Sequence, residues 1–285
     1  MTTVSTISPC KLNLFLYITS KRDDGYHNLQ TLFVILNHGD KMTFTDTNED
    51  KVELLTDFGF PVEKNLIYKA AMALKNETGC KKGCKISIEK ILPQGGGLGG
   101  GSSNAATTML ILNKLWDLNL SEQSLIKIGA KLGADVPIFI KGCTCFAEGI
   151  GEILTEKKIK NRYYLVATPE CSVPTAKLFA HKKLKKDSKV RTFDELINTP
   201  FANCFEKVVV HEYPEVQNLL SILSQYGRAF MSGSGSSCFV GFDNLEDAKK
   251  AQKHITKLNI KNFLTKSTDR SPVLKTLDTI IENQR

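Results

Sequence analysis

Six of the seven residues from 95 to 101 are glycine, and this run limits the possible folds more than any other segment of the chain. Glycine tolerates positive φ and lets the backbone approach a ligand closely, so consecutive amides can point at phosphate oxygens. An apolar helical pattern follows over residues 102–118, and the free amides at a helix start add to such an anion site. The run therefore predicts a phosphate-binding turn between a strand and a helix, with a plain flexible turn as the alternative.

Three better-known nucleotide-binding motifs do not fit this chain. Gly95, Gly97 and Gly100 match the dinucleotide pattern G-x-G-x-x-G. Asp117, the candidate ribose contact, falls at the end of the following helix instead of on a second strand. The chain contains no Gly-Lys-Ser or Gly-Lys-Thr, which a Walker A loop requires. Residues 57–59 spell the Asp-Phe-Gly of protein kinases, but no His-Arg-Asp catalytic loop accompanies them.

Strand and helix patterns alternate irregularly along the chain. Strands are predicted at residues 12–18, 32–36, 41–45, 85–91, 138–146, 163–167 and 238–242. Helices are predicted at residues 66–75 after an Asn65 N-cap, between a Ser121 N-cap and Gly133, at 215–225 and from 247. Because these patterns lack a strict βαβ alternation, an α+β fold is predicted.

The chain divides most naturally within the polar, basic stretch from 152 to 162. Its 285 residues, 41% hydrophobic and 24% charged, are typical of a soluble globular protein of one or two domains. A boundary in this stretch gives an N-terminal domain of residues 1–157 and a C-terminal domain of residues 158–285.

The apolar runs, cysteines and charges of the chain argue against secretion, a membrane span, a metal site and a nucleic-acid partner. The early apolar run at residues 12–18 is interrupted by Asn13 and followed by charges, so neither a signal peptide nor a membrane span is expected. Eight scattered cysteines without spaced histidines predict a reducing cytoplasm and no structural metal site. Much of the net charge of +8 lies at residues 181–191, which offer no aromatic platform for bases. We therefore expect a solvated basic surface, no nucleic-acid or membrane partner, and a monomer or weak dimer.

The glycine run belongs to a longer motif. Residues 93–106, PQGGGLGGGSSNAA, resemble the phosphate loop of the GHMP kinases, a family named for galactokinase, homoserine, mevalonate and phosphomevalonate kinases. Residues 8–14, SPCKLNL, and residues 232–238, SGSGSSC, resemble two further motifs of that family. The resemblance implies a two-domain α+β fold with the active site in the cleft between the domains, and ATP as the phosphoryl donor.

A narrower resemblance rests on three other segments. They are RDDGYHNL at residues 22–29, GADVP at residues 133–137 and FAEGIG at residues 146–151. These segments are similar to the GHMP kinases that phosphorylate the 2-hydroxyl of a cytidine-diphosphate-linked methylerythritol, a step of the non-mevalonate route to isoprenoid precursors. The lysine-rich residues 182–189 have no counterpart in this resemblance.

The resemblance also implies roles for individual residues. It gives Asp135 the role of base for the acceptor hydroxyl, and Lys11 that of the cation facing the developing charge. The implied ATP-binding residues are Asn65, Pro93, Gly95, Gly96, Gly97, Leu98, Gly99, Gly100, Gly101, Ser102 and Ser103. The implied acceptor-binding residues are Asn13, Tyr26, His27, Ile150, Thr175 and Phe179. Mg²⁺ is expected to accompany ATP, near the hydroxyl of Ser102 or Ser103.

Two other functions stay open on the sequence. A GHMP kinase acting on homoserine or mevalonate would share the loop, but such acceptors have no evident use for Tyr26 and His27. A non-catalytic nucleotide or nucleic-acid binder would explain the loop and the basic charge, but it would leave Lys11 and Asp135 without a task.

Overall fold

The computed structural model describes residues 1–282, and these form ten strands and ten α-helices. The strands are β1 Thr3–Lys21, β2 His27–Thr47, β3 Val52–Leu54, β4 Gly83–Glu89, β5 Cys145–Glu148, β6 Ile153–Glu156, β7 Tyr163–Thr168, β8 Ala229–Met231, β9 Cys238–Phe242 and β10 Lys261–Lys266. The helices are α1 Leu66–Thr78, α2 Gly100–Leu115, α3 Glu122–Ala130, α4 Val136–Lys141, α5 Thr175–Ala180, α6 Phe193–Ile197, α7 Glu206–Glu212, α8 Pro214–Leu223, α9 Leu245–Lys257 and α10 Pro272–Glu282. Within residues 1–282, none of these helices has the length and apolar character needed to cross a bilayer.

The strands form two separate sheets. The first has six strands in the order β3-β4-β2-β5-β6, with β1 paired to β2; only the β3–β4 pair is parallel. The second has four antiparallel strands in the order β10-β7-β9-β8. The predicted α+β class is therefore confirmed.

Strands β1 and β2 form one long ribbon that links the two sheets. Their pairing extends from Thr3 opposite Thr45 to Lys21 opposite His27, with irregularities between residues 9 and 20. Near its far end the ribbon meets the second half of the chain, where the amide of Leu16 donates to the Ala202 carbonyl at 2.9 Å. Residues in the middle of β1 thus lie between the two halves of the molecule.

The first sheet buries its core against helices. Met42 and Phe44 of β2 lie in one apolar cluster with Ile67 of α1 and Met109 of α2, and all four are almost fully buried. Burying a large apolar side chain of this kind contributes roughly 1.5–3 kcal/mol. The cluster holds α2, and with it the end of the glycine run, at a fixed place beside the sheet.

The last described helix returns to this first core. Helix α10 packs against β1 and α2, and Val273 belongs to the same apolar cluster. A hydrogen bond of 2.9 Å joins the hydroxyls of Thr6 and Thr276. The boundary predicted between residues 157 and 158 places this helix in the C-terminal domain, and that boundary stays a prediction.

Two predicted helix starts are confirmed by their caps. The Oδ1 of Asn65 accepts from the amide of Ile67 at 2.9 Å, and the Oγ of Ser121 accepts from the amide of Ser124 at 3.1 Å. Each cap satisfies one of the amides that a helix start leaves without a partner.

The strand predicted at residues 138–146 is wrong. Its first part belongs to helix α4, and strand β5 begins only at Cys145. Pro137 in the first turn favours a helix start, and Gly142, with a φ of 65°, ends the helix. Every residue from 136 to 140 is buried, so the apolar run shows no periodicity by which a helix could be told from a strand.

Candidate active site

The glycine run folds as a tight turn that leads into α2. Gly95, Gly97 and Gly99 have φ values of 68°, 72° and 74°, a region that favours glycine. A Cβ on Gly97 would lie 2.1 Å from the carbonyl oxygen of Ser232, and one on Gly99 would lie 2.8 Å from the Phe139 ring. The close approach of these neighbours explains why the turn needs glycine.

A buried carboxylate anchors the chain just before this turn. Asp40 of β2 is fully buried, and its Oδ1 accepts from the amides of Ile91 and Leu92 at 2.8 and 2.9 Å. Its other oxygen pairs with the ammonium of Lys90. Charge-assisted hydrogen bonds of this kind are among the stronger ones, so the segment entering the glycine turn is held firmly to β2.

A cavity of about 400 Å³ opens between the glycine turn and the start of α1. Its walls include Phe58, Phe60 and Leu66 on one side and residues 93–102 on the other. The structure brings together here all the residues expected at ATP except Ser103. Ser103 is fully buried, and its hydroxyl lies 2.8 Å from that of Ser8.

Gly101→Ala provides the cleanest test of phosphate binding at this turn. Gly101 is exposed and in α2, and an added Cβ would meet only Leu66 Cδ1, at 3.7 Å. We expect apo stability to stay equal or rise by up to about 1 kcal/mol, because alanine favours the helix. We expect ATP affinity to fall about tenfold, equivalent to roughly 1.4 kcal/mol, because the methyl group occupies space beside the phosphates. Calorimetric titration and thermal unfolding measure the two effects, and unchanged ATP affinity would place the phosphates elsewhere.

Lys11 and Asp135 meet next to the glycine turn. The Lys11 side chain is only 3% exposed, and its Nζ lies 3.5 Å from Asp135 Oδ2. The same Nζ donates to the Gly97 carbonyl at 2.9 Å and to Asn13 Oδ1 at 2.6 Å. The ring of Phe33 lies beneath it, with its centroid 5.4 Å away. The ammonium group thus joins the phosphate turn to the carboxylate.

Asp135 keeps its carboxylate available. It occupies the N-cap position of α4, but its side chain makes no capping hydrogen bond. The side chain is 34% exposed and lines a second cavity, whereas residues 136–140, which follow it in α4, are buried. Because it does not cap the helix, the Asp135 carboxylate can act on a ligand in this cavity while it faces Lys11.

Two positioning residues escaped the sequence analysis. Thr31 Oγ1 accepts from Asn13 Nδ2 at 2.8 Å and donates to the Phe15 carbonyl at 2.6 Å, so it orients the amide that holds Lys11. Ser232 Oγ donates to the Gly97 carbonyl at 3.1 Å and accepts from the backbone N–H of Asn13 at 3.3 Å. Ser232 lay in a recognised motif, but no sequence signal pointed to Thr31.

The second cavity, of about 330 Å³, shares part of its wall with the first. Both cavities are lined by Gly95, Gly97, Gly99 and Ser102. The other predicted residues that line the second cavity are Lys11, Asn13, Asp135, Ile150, Thr175 and Phe179. Two chambers therefore meet at the glycine turn, with the Lys11–Asp135 pair in the second.

Tyr26 and His27 lie beyond the walls of the second cavity. His27 is buried and stacks on the Phe179 ring at a centroid distance of 4.9 Å, and its Nε2 has no hydrogen-bond partner among residues 1–282. Burial lowers the pKa of His27, and the charges of Lys186 and Lys21 lower it further. Tyr26, in contrast, is 59% exposed. The pair thus offers one buried polar ring and one free aromatic ring.

Sequence comparisons identify the family. The profile of the GHMP kinases N terminal domain matches residues 65–143, and the GHMP kinases C terminal profile matches residues 180–261. A 4-diphosphocytidyl-2-C-methyl-D-erythritol kinase of Vibrio cholerae is 46% identical over 273 residues, covering 95% of this chain and 93% of that protein. The chain belongs to the 4-diphosphocytidyl-2-C-methyl-D-erythritol kinase family of GHMP kinases. The resemblance seen in the sequence is confirmed, and with it the prediction of an ATP-dependent small-molecule kinase.

Further relatives support this family assignment. One from Actinobacillus pleuropneumoniae is 44% identical over 272 residues, covering 95% of each chain. A crystal structure of 4-(cytidine 5'-diphospho)-2C-methyl-D-erythritol kinase superposes with a TM-score of 0.81 at 28% identity, covering 92% of this chain and 98% of that one. A crystal structure of mevalonate kinase superposes with a TM-score of 0.69 at 14% identity, covering 95% of this chain and 100% of that one. At this identity the superposition shows only that the two proteins share a fold.

Proposed function

We propose that this chain transfers the γ-phosphoryl group of ATP to the 2-hydroxyl of 4-diphosphocytidyl-2-C-methyl-D-erythritol. The observation that carries the proposal is the Lys11–Asp135 pair, which lies where two cavities meet at one glycine turn. One cavity offers backbone amides for a triphosphate, and the other offers a carboxylate for a hydroxyl. The relatives named for this kinase support the choice of acceptor.

The mechanism follows from the position of the pair. The acceptor hydroxyl lies against Asp135, whose carboxylate accepts its proton as the oxygen attacks the γ-phosphorus. The bond between the γ-phosphorus and the bridging oxygen breaks, and ADP leaves with the electron pair. The ammonium of Lys11, whose side chain is almost fully buried, faces the charge that develops on the transferred group. The amides of the glycine turn hold the donor phosphates in line.

Mg²⁺ fits this site as a companion of ATP. Residues 1–282 contain no group of three His, Cys, Asp or Glu side chains positioned to bind a metal. Mg²⁺ commonly binds through one or two protein oxygens together with substrate phosphates, so such a group is not needed. The Ser102 hydroxyl, at the junction of both cavities, would hold the ion, whereas Ser103 is engaged with Ser8. When bound, Mg²⁺ neutralises charge on the phosphates.

An acceptor panel tests the proposal directly. The protein is incubated with MgATP and, separately, with 4-diphosphocytidyl-2-C-methyl-D-erythritol, homoserine or mevalonate, and ADP formation is measured. We expect turnover with the first acceptor alone. Turnover with homoserine or mevalonate would assign another GHMP activity, and tight polynucleotide binding with no turnover would favour a non-catalytic binder.

His27→Ala should weaken acceptor binding and erode the preference for cytidine over uridine. Cytosine offers a ring-nitrogen acceptor where uracil has an N–H, so a buried histidine donor distinguishes the two bases. A buried polar group left without its partner costs about 1–3 kcal/mol, so the preference should fall about tenfold. Tyr26→Ala should weaken the binding of the cytidine and uridine acceptors equally, because stacking does not distinguish bases. The ratio of kcat/KM for the cytidine and uridine acceptors measures the effect.

The control for His27 is His38→Ala. His38 also stacks on a phenylalanine, Phe263, with a centroid distance of 4.0 Å, but it lines neither cavity. Its replacement should lower stability without changing the base preference. If His27→Ala kept both the affinity and the preference of the wild type, the cytosine site would lie elsewhere.

A further inference from the structure

Asn203 is a buried amide that lines neither of the two cavities. Its Nδ2 donates to the carbonyls of Met231 and Gly233, at 2.9 and 2.7 Å. Its Oδ1 accepts from the backbone N–H of Phe205 at 3.0 Å. An asparagine side chain has two N–H donors and one carbonyl oxygen, and here each of them has a partner. The side chain thus clamps a turn formed by residues 231–233.

The two clamped carbonyls stand on either side of Ser232, which is fully buried. Its Oγ donates to the Gly97 carbonyl at 3.1 Å, and the same carbonyl accepts from Lys11 Nζ at 2.9 Å. Gly233 comes close to the same group, since a Cβ there would lie 3.3 Å from Lys11 Nζ and 3.2 Å from Asn13 Oδ1. The turn therefore packs against the Lys11 ammonium and two of its hydrogen-bond acceptors.

The backbone around Asn203 is itself attached to strand β1. The amide of Leu16 donates to the Ala202 carbonyl, and the amide of Cys204 donates to the Leu16 carbonyl, both at 2.9 Å. Asn203 therefore takes its position from β1, and the turn that it clamps returns to the same strand, which also carries Lys11. This series of hydrogen bonds fixes a turn from the second half of the chain relative to Lys11.

We infer that Asn203 positions the Lys11 ammonium for phosphoryl transfer by holding the 231–233 turn against it. The inference rests on the proposed function, because it takes Lys11 as the cation at the transferred group. None of residues 231–233 lines the nucleotide cavity. Loss of the clamp should therefore lower kcat, because a small displacement of a catalytic group slows the reaction, and leave ATP affinity unchanged.

Two substitutions at Asn203 test this role. Asn203→Asp keeps the volume and the acceptor for the Phe205 N–H but loses both N–H donors, and Asn203→Ala removes the whole clamp. We expect each to lower kcat about tenfold. The dissociation constant of ATP, measured by calorimetry without acceptor, should stay within about twofold of the wild-type value. Rates are measured well below the melting temperature of each variant, so that folded proteins are compared.

Combination with Ser232→Ala separates positioning from a general loosening of the structure. Ser232→Ala removes the hydroxyl that joins the turn to Gly97, so it should also lower kcat about tenfold. The double variant with Asn203→Asp should lose about tenfold in total, because both changes break the same connection. Independent effects would multiply to a loss of about a hundredfold, and that result would overturn the inference.

Asn113→Asp is the matched control. Asn113 makes a similar clamp, in which its Nδ2 donates to the Leu120 carbonyl and its Oδ1 accepts from the Leu120 N–H, both at 3.0 Å. It lines neither cavity, so the variant should lose stability and keep kcat. Wild-type kcat in the Asn203 variants, or an equal loss in Asn113→Asp, would overturn the role of Asn203. Absence of turnover in the wild type would overturn the proposed function instead.

Discussion

Asp135→Asn is expected to lower kcat by about 100- to 10,000-fold, the usual contribution of a positioned general base. Asparagine has nearly the same shape but cannot accept the proton of the acceptor hydroxyl. ATP affinity should change little, because the donor cavity is lined by other residues. The melting temperature should also change little, because the Asp135 side chain is one third exposed and makes no capping bond, and Lys11 keeps its hydrogen bonds to Asn13 and Gly97. Steady-state kinetics, ATP titration and thermal unfolding measure the three quantities.

Asp117→Asn serves as the control for this change. Asp117 is an exposed carboxylate just after α2, and it pairs with Lys82 at 3.0 Å. A surface pair of this kind contributes about 0–1 kcal/mol, so the variant should retain full turnover. Near-normal kcat in a folded Asp135→Asn variant would remove Asp135 from the mechanism.

Lys11→Met is expected to lower kcat by about 100- to 1,000-fold, the scale seen when one preorganised charge stabiliser is lost. Methionine fills most of the same buried volume but carries no charge. The Gly97 carbonyl and the Asn13 amide oxygen lose their donor, so stability should also fall. The loss of turnover must exceed what unfolding alone explains, and this is checked by measuring kcat well below the melting temperature of the variant.

Lys75→Met separates catalysis from stability. Lys75 has a side chain only 10% exposed, pairs with Asp50, and lies over the Trp116 ring at 5.3 Å. It is therefore another largely buried, paired lysine, but it lines neither cavity. We expect Lys75→Met to lose stability and keep kcat. If both lysine variants lost turnover in proportion to stability, Lys11 would be structural.

Local signals explain what the sequence could predict. The caps at Asn65 and Ser121 involve residues two or three positions apart, and the positive φ values in the glycine turn belong to the backbone of the glycines themselves. Strand β9 was predicted with its exact bounds, since it is a short apolar run before the Asp243–Asn244 turn. Signals of this range do not depend on how the chain packs.

Long-range contacts explain which site residues the sequence could not predict. Ser232 reaches the backbone amide of Asn13 across 219 positions, and Thr31 meets the Asn13 side chain only because β1 pairs with β2. Helix α4 was missed for a different reason: residues 136–140 are all buried, so the sequence shows no periodic pattern there.

The return of α10 to the first core affects the order in which the protein can fold during synthesis. A ribosome produces β1, β2 and α2 early, but Val273 and Leu277, which pack on that cluster, follow the whole second sheet. Domains usually fold as they emerge, N-terminal part first. Here the early part leaves the exit tunnel with apolar surface still uncovered. We expect that surface to be available to chaperones until residues 272–282 arrive.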